Sequence, residues 1–521
     1  MKEFNTTGHC NSARHYMIEA STRLHGVEEL IDDEKYFVIH AARQSGKTTY
    51  LQDLSGRLNA GGKYYALYCS LEKAQNVVEP ERGIPVIYDC ITLSLQKTSA
   101  IPYVYDESYE RDKKNRPLVL LTLFLMNFVK SLDKPLVILF DEADCLSEGT
   151  LISFLRQLRD GYNDRSITPF VHSVALVGMR NIRDYKVRIR PESETLGSAS
   201  PFNIIAEALT IQNFTKEEVV RLYRQHTDET GQIFEDDAIE LAWEQTQGQP
   251  WLVNAIAREV IVKILKSDCT KPVTAELVSQ AIQNIILTRP THIDSLLERL
   301  KEDRVRRVIE PMIIGEGFVN KESEDFLYTR DLGLIRVENS QIKPANPIYA
   351  EVIIRKLSSS MQETLQNPKY PYQIPRYLKP DGDMDVDYLM RDFQKFWHLN
   401  SGVWLEMCDY PEAGPLLVMM AFLQRVVNGG GQIIRDMASG NGRLDLMMIY
   451  NGKKYPIELK IRYGKKYLED GLDQTSGYMD LHCCDEGWMV VFDRRSTVKW
   501  EDKLYMKKET VDGKTVTIVG A

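Results

Sequence analysis

Residues Phe37–Thr49 read FVIHAARQSGKTT. Phe37, Val38 and Ile39 predict a buried β-strand, the small residues after them a tight loop, and Lys47-Thr48-Thr49 the first turn of a helix. The segment AARQSGKT fits the phosphate-cradling pattern G-x-x-x-x-G-K-[ST] at every fixed position except the first, where Ala41 stands in place of glycine. Such a loop points its backbone N–H groups at a polyphosphate and ends at the positive end of a helix. Ala41, Gln44, Ser45, Gly46, Lys47, Thr48 and Thr49 are therefore the candidate phosphate-binding positions. Gly46 lets the backbone come close, Lys47 would reach the β- and γ-phosphates, and the Thr48 hydroxyl would bind Mg²⁺. Alanine is the next-smallest side chain, so Ala41 bends this loop rather than closing it.

The chain has 521 residues, enough for roughly three or four domains. Its 43% hydrophobic and 27% charged content is that of an ordinary soluble globular protein. The net charge of −9 argues against a nucleic-acid coat over the whole surface, and leaves room for a local basic groove. No apolar run is long enough to span a membrane, and Met1–Thr22 has no signal-peptide pattern. Eight cysteines without paired spacing predict free thiols and a cytoplasmic location. His482, Cys483 and Cys484 adjoin one another, which is a poor arrangement for wrapping one zinc ion.

Away from the loop, the pattern alternates strand and helix, which predicts a parallel α/β sheet. Tyr64–Ser70 is a second strand. Leu136–Phe140 (LVILF) is a third, followed at once by Asp141-Glu142-Ala143-Asp144. A carboxylate at the end of a buried strand can share a Mg²⁺ with Thr48, and Glu142 can polarise an attacking water. Val171–Val177 is a further strand, ending near Arg180, a candidate γ-phosphate sensor. Arg156, Arg159 and Arg165 are candidates for a finger supplied in trans, which would require a homo-oligomer. Near the start, Arg14, His15 and Tyr16 offer a ring and donors to a base; a plain surface arm is the alternative. Leu209–Phe214 and Thr215–Ala257 read as helical, with a capping box at Thr215 and Glu218. Gly248-Gln249-Pro250 precedes another helix.

The set AARQSGKT, LVILFDEAD, the strand ending in Gly178-Met179-Arg180 and the Gly-x-Pro turn resembles AAA-like P-loop ATPases close to the STAND and archaeal-ATPase groups. The resemblance implies ATP bound between an α/β core (1–207) and a helical lid (208–290), with Pro250 near the adenine. Helices followed by a hairpin at Leu334–Val337 and Gln341–Pro344 predict a winged-helix module (291–357). Its candidate recognition helix, ESEDFLYTRDLG, is acidic, which favours packing over groove reading. Residues 358–384 carry Pro368, Pro371, Pro375 and Pro380 and read as a linker.

The last segment, 385–521, carries a second chemistry. Two helical stretches, Asp385–Trp397 and Pro415–Val427, precede strands at Gln432–Asp436, Arg443–Tyr450 and Lys454–Ile461. The last two are joined through Asn451-Gly452. A helix at Tyr467–Leu481 and a strand at Trp488–Phe492 follow. Glu458 and Lys460 fall on one face of a strand, since side chains repeat every two residues, and Asp445 lies on its hairpin partner. A divalent metal between Asp445 and Glu458 would offset the cost of burying both acids. It would also polarise a phosphodiester, with Lys460 stabilising the developing charge. A structural Glu–Lys pair is the plain alternative.

These residues resemble the PD-(D/E)xK nuclease superfamily, with its α-β-β-β-α-β core. Gly442-Arg-Leu-Asp445 resembles its Gly-x-x-Asp motif, Glu458-Leu-Lys460 its E-x-K motif, and Gln474-Thr-Ser-Gly-Tyr478 the Q-x-x-x-Y motif of RecB-like members. Glu412 is a weaker match to the helix acid that completes the metal site. The resemblance implies Mg²⁺ or Mn²⁺ as cofactor, DNA as partner, and Gln474 and Tyr478 helping to hold DNA and the site. Together the two halves resemble a bacterial family pairing an AAA-like ATPase with such a nuclease. The first expectation is thus ATP gating a DNA-cutting nuclease. The second is an ATP-driven oligomeric switch or scaffold whose nuclease-like fold binds without cutting. A DNA-translocating motor is the third.

Overall fold

The computed structural model describes residues 2–179, 204–314, 321–338, 341–353, 356, 377–407, 418–420, 422–423, 431–436, 445–462, 467–493, 495 and 498–521. The chain forms two compact units, Met1–His292 with Leu327–Ile335, and Ile293–Phe326 with Arg336–Ala521.

The first unit is built on a five-stranded sheet. Its strands are β1 (Tyr36–His40), β2 (Tyr65–Ser70), β3 (Leu136–Asp141), β4 (Ser173–Gly178) and β5 (Ile205–Thr210). Their order is β2-β3-β4-β1-β5, all parallel. Every residue of β1, β3 and β4 is buried, because helices cover both faces of the sheet. Alternate side chains serve opposite layers. Phe37, Ile39, Val137, Leu139, Ala175 and Val177 pack with Tyr50, Leu51 and Leu54 of α1 (Lys47–Gly61). Tyr36, Val38, Ile138, Phe140, Val174 and Leu176 pack with α2 (Pro80–Lys97), α3 (Leu120–Lys130) and α4 (Glu148–Asp164).

β5 corrects the sequence reading, which made Leu209–Phe214 helical. Leu209 and Thr210 instead pair with Ile39 and His40. This edge strand is largely exposed, so it lacks the apolar signature of its neighbours. Beyond it lie α5 (Lys216–Thr230), α6 (Asp236–Thr246), α7 (Pro250–Arg258) and α8 (Ala275–Thr288). The Thr215–Glu218 capping box is present at the start of α5.

The amino-terminal segment is packed against these helices rather than left as a surface arm. Phe4 packs on Tyr16, Tyr223 and Phe234, and the Tyr16 hydroxyl donates to Glu229 at 2.7 Å. Tyr16 is thereby used for packing, not for a base.

A short segment from much later in the sequence completes this unit. The end of α9 (Glu324–Asp331) and the turn after it meet the start of the phosphate loop. Asp331 Oδ1 lies 3.8 Å from His40 Nε2, both groups nearly buried, and His40 also meets Thr210 Oγ1 at 3.0 Å. A Cβ placed on Gly333 would sit 2.5 Å from Ala42 Cβ, so only glycine fits there.

In the second unit, β6 (Ile335–Glu338) and β7 (Gln341–Pro344) form a two-stranded sheet. The acidic helix ahead of them has Asp325 engaged by Arg304 and Arg307, at 3.5 and 2.7 Å. The carboxy-terminal sheet has six strands: β8 (Gly431–Asp436), β9 (Asp445–Tyr450), β10 (Lys453–Ile461), β11 (Glu486–Phe492), β12 (Met506–Val511) and β13 (Lys514–Gly520). Their order is β12-β13-β11-β10-β9-β8. The reading by sequence omitted β12 and β13, which turn at Asp512-Gly513; both residues are left-handed, as are Asn451 and Gly452. Phe393 and Trp397 of α10 (Val386–Met407) pack on Phe492 on one face of this sheet. On the other face, Met479 of α11 (Tyr467–Leu481) joins Met489, Val491, Val516 and Ile518. Tyr377–Met384, read as the end of a linker, belongs with this sheet, since Met384 N donates to Tyr455 Oη at 3.1 Å.

Candidate functional sites

The phosphate loop leaves the carboxyl end of β1, as expected for ligands of parallel α/β sheets. Gly46 has φ +93°, a left-handed turn that starts α1 directly from the loop. The Lys47 ammonium is almost fully buried and donates to the Ala41 and Ala42 carbonyls, both at 2.9 Å. Burial pulls its pKa down, while Asp144, Glu142 and Asp141 oppose the shift. Ala41 is buried, and its N–H donates to Gly178 O at 3.2 Å, so the alanine ties the loop to β4.

The acids at the end of β3 face this loop. Thr48 Oγ1 donates to Asp141 Oδ2 at 2.7 Å, and the Tyr68 hydroxyl donates to the same oxygen at 3.1 Å. A hydroxyl and a carboxylate side by side are hard oxygen donors, the set that suits Mg²⁺. Glu142 follows in a left-handed conformation, φ +56°, with its N–H donating to Asp141 Oδ1 at 3.0 Å. Burial, then Asp144 and Asp141, raise the Glu142 pKa. Asp144 ties the end of β4, accepting from Met179 N at 3.0 Å.

Sequence reasoning missed Arg23. Its guanidinium donates to Ser45 O at 2.7 Å and, through Nε, to Gln212 O at 3.0 Å, and it lies 4.8 Å from the Phe214 ring centroid. Burial lowers its pKa to about 10, so it stays charged at neutral pH. A lone arginine in a polar stretch carries no signal of that role. Thr49 was placed among the phosphate contacts; its hydroxyl accepts from Cys10 N at 3.0 Å, which pins the arm to α1. Pro250 opens α7 and is buried. Arg180 and Glu412 lie outside the described residues.

The second candidate site sits on β10 in the other unit. Glu458 and Lys460 are each 3% exposed and form an ion pair; Lys460 Nζ also donates to Gln474 Oε1 of α11. Their in-register neighbours on β11 are Met489 and Val491, which places them on the α11 side of the sheet. Gly471 allows this approach, since a Cβ there would lie 3.1 Å from Lys460 Cε. Tyr478 is buried one turn beyond Gln474, with its ring 4.9 Å from that of His482. The β9–β10 ladder runs from Tyr450–Lys453 to Leu446–Ile457, which makes Asp445 and Glu458 the next facing positions.

Fold and nucleotide-facing residues together define a P-loop ATPase with a parallel α/β core. Residues 6–354 match the family described as an AAA-like domain, and the chain belongs to that family. Among solved structures, the chain is similar to the Walker-type ATPase PABY2304 of Pyrococcus abyssi, at 16% identity and TM-score 0.48, covering 67% of this chain and 99% of that one. It is also similar to Cdc6p from Pyrobaculum aerophilum (14%, TM-score 0.35, 67% and 97% covered). A third is the Thermotoga maritima RuvB Holliday junction branch migration motor (12%, TM-score 0.32, 62% and 89%). No curated protein matches. Among the described residues, no helix is long and apolar enough to cross a membrane.

One prediction arises directly from the acids. Glu142→Gln is expected to keep ATP binding and to lower hydrolysis about 10²–10⁴-fold, the usual weight of a general base. A general base acts as the carboxylate, so with Glu142 in that role the rate is expected to fall as pH drops through its raised pKa. The decline should begin at a higher pH than for an ordinary glutamate; a pH–rate profile of phosphate release checks this.

Proposed function

We propose that the chain couples its ATP cycle to metal-dependent cleavage of DNA by the carboxy-terminal domain. The observation that carries this reading is the buried Glu458–Lys460 ion pair on β10, one of the two central strands of its sheet, with Gln474 of α11 bonded to the Lys460 ammonium. A buried ion pair is a costly way to stabilise a sheet, so its position calls for a chemical role. Hard oxygen donors from Glu458, with Asp445 at the facing position, suit Mg²⁺ or Mn²⁺, which would polarise a phosphodiester and acidify bound water. Lys460 supplies the positive charge, Gln474 fixes its ammonium, and Tyr478 lies on the same helix. In the other unit, Lys47, Thr48, Asp141 and Glu142 hold and orient the triphosphate and its water, and Arg180 is assigned as sensor.

The test is a cleavage assay over DNA and RNA in single- and double-stranded forms, with Mg²⁺ or Mn²⁺, with and without ATP. Cutting of DNA at a rate changed by ATP is expected. Absence of cutting with either metal, joined to an ATP-dependent change in mass, would replace this reading with an oligomeric switch.

A further inference from the structure

The row of polar residues along β10 does not end at Lys460. Side chains on one face of a strand recur every second residue, roughly 7 Å apart, so Arg462 comes next after Glu458 and Lys460. On the neighbouring strand Glu458 faces Met489 and Lys460 faces Val491, which makes Arg462 and Asp493 the next pair on that side. Arg462 N donates to Phe492 O at 3.0 Å, so the β10–β11 ladder continues to this point. Arg462 Nη1 donates to Asp493 Oδ2 at 3.1 Å, as two residues on the same face should.

Asp493 gathers a second guanidinium. Arg495 Nε donates to its Oδ1 at 2.9 Å and Arg495 Nη2 to its Oδ2 at 2.7 Å, a bidentate fork. The Asp493 side chain is 5% exposed, against 32% for Arg462 and 47% for Arg495, so the acid lies beneath and the two cations reach solvent. Hydrogen bonding from Arg495, against the effect of burial, pulls the Asp493 pKa down to about 2, so the anchor stays ionised. A guanidinium oriented in advance loses little freedom on meeting a ligand. The row thus runs from the buried Glu458–Lys460 pair to a solvent-facing pair of arginines. It does so at the carboxyl ends of two parallel strands, the end at which open α/β sheets take ligands.

We propose that Arg462 and Arg495, oriented by Asp493, bind the DNA backbone phosphate next to the one presented to Glu458 and Lys460. This rests on the nuclease reading of that pair and adds how the strand is held against it. The planar guanidinium fork matches phosphate oxygens, and a backbone contact positions the strand without reading its bases. Asp493 acts on DNA only through the arginines it fixes.

The experiment is binding of fluorescently labelled single- and double-stranded DNA to the full chain, in chelator so that nothing is cut, over a series of salt concentrations. Thermal unfolding serves as a control on folding, and cleavage by the native chain with Mg²⁺ or Mn²⁺ is measured alongside. Arg462→Ala is expected to weaken binding about 10-fold at low salt, the weight of one charge-assisted hydrogen bond. It should also flatten the plot of log affinity against log salt by about one unit, the mark of one lost phosphate contact. Arg462→Lys keeps the charge without the fork, so it should keep the native slope and recover only part of the affinity. A purely structural role would lower the melting temperature of Arg462→Ala and leave affinity and slope as in the native chain, which overturns the proposal. Should the native chain cut DNA in that case, the nuclease reading still stands. Binding that depends on Arg462 in a chain that cuts with neither metal keeps the phosphate contact and ends the nuclease reading. A native chain that binds no DNA overturns both.

Discussion

Glu458→Ala and Lys460→Ala chains are each expected to lose DNA cleavage by about 10²–10⁴-fold, the range seen when a charge-stabilising or proton-transferring group is removed. Glu458→Gln should be equally inactive, and it should differ from Lys460→Ala in stability. Lys460→Ala leaves the Glu458 carboxylate buried without its cation, which typically costs about 3–5 kcal/mol. Glu458→Gln keeps the shape and an oxygen for Lys460 and removes only the negative charge. Urea unfolding of the carboxy-terminal unit should therefore rank Lys460→Ala well below Glu458→Gln, while both are inactive. Cutting at the native rate by either variant would make the pair a structural one and end the nuclease reading.

Lys47→Ala should lower ATP hydrolysis by about 10²–10³-fold, the usual cost of removing one charge-stabilising group from a reaction site. In the nucleotide-free chain Lys47 carries a desolvation cost and spends its protons on two loop carbonyls. Removing it should therefore change the thermal midpoint little when no nucleotide is present. The loss appears on adding ATP. At a concentration 100 times its dissociation constant a ligand stabilises by about 2.7 kcal/mol, and the variant should show almost none of that shift at the same concentration. An undiminished shift would mean that phosphate is held by other groups.

How much could be read in advance follows burial. β1, β3 and β4 are enclosed by helices on both faces, so their sequences are unbroken apolar runs and declared themselves. β5 lies at the sheet edge and is largely exposed, with Glu207 and Thr210 interrupting its apolar residues, and its partial periodicity passed for a helix. β12, with Lys507, Lys508 and Glu509 on it, was hidden for the same reason despite the Asp-Gly turn beside it. In the candidate sites, spacing along one strand was enough to join Glu458 to Lys460, and a named motif was enough to join Thr48 to Asp141. Contacts closed only by tertiary packing left no trace in local pattern: Arg23 on Ser45, Tyr68 on Asp141, and Asp331 beside His40.

The last of these contacts bears on how the ATPase should be studied. One wall of the phosphate loop comes from Asp331 and Gly333, almost 300 residues downstream of Ala42, beyond a stretch that belongs to the other unit. A shortened protein stopping at His292, the natural place to cut by eye, would strip that wall away and leave His40 without its carboxylate neighbour. Turnover measured on such a fragment would describe a breached catalytic chamber, and a proteolytic nick between the units would act on ATP chemistry from afar.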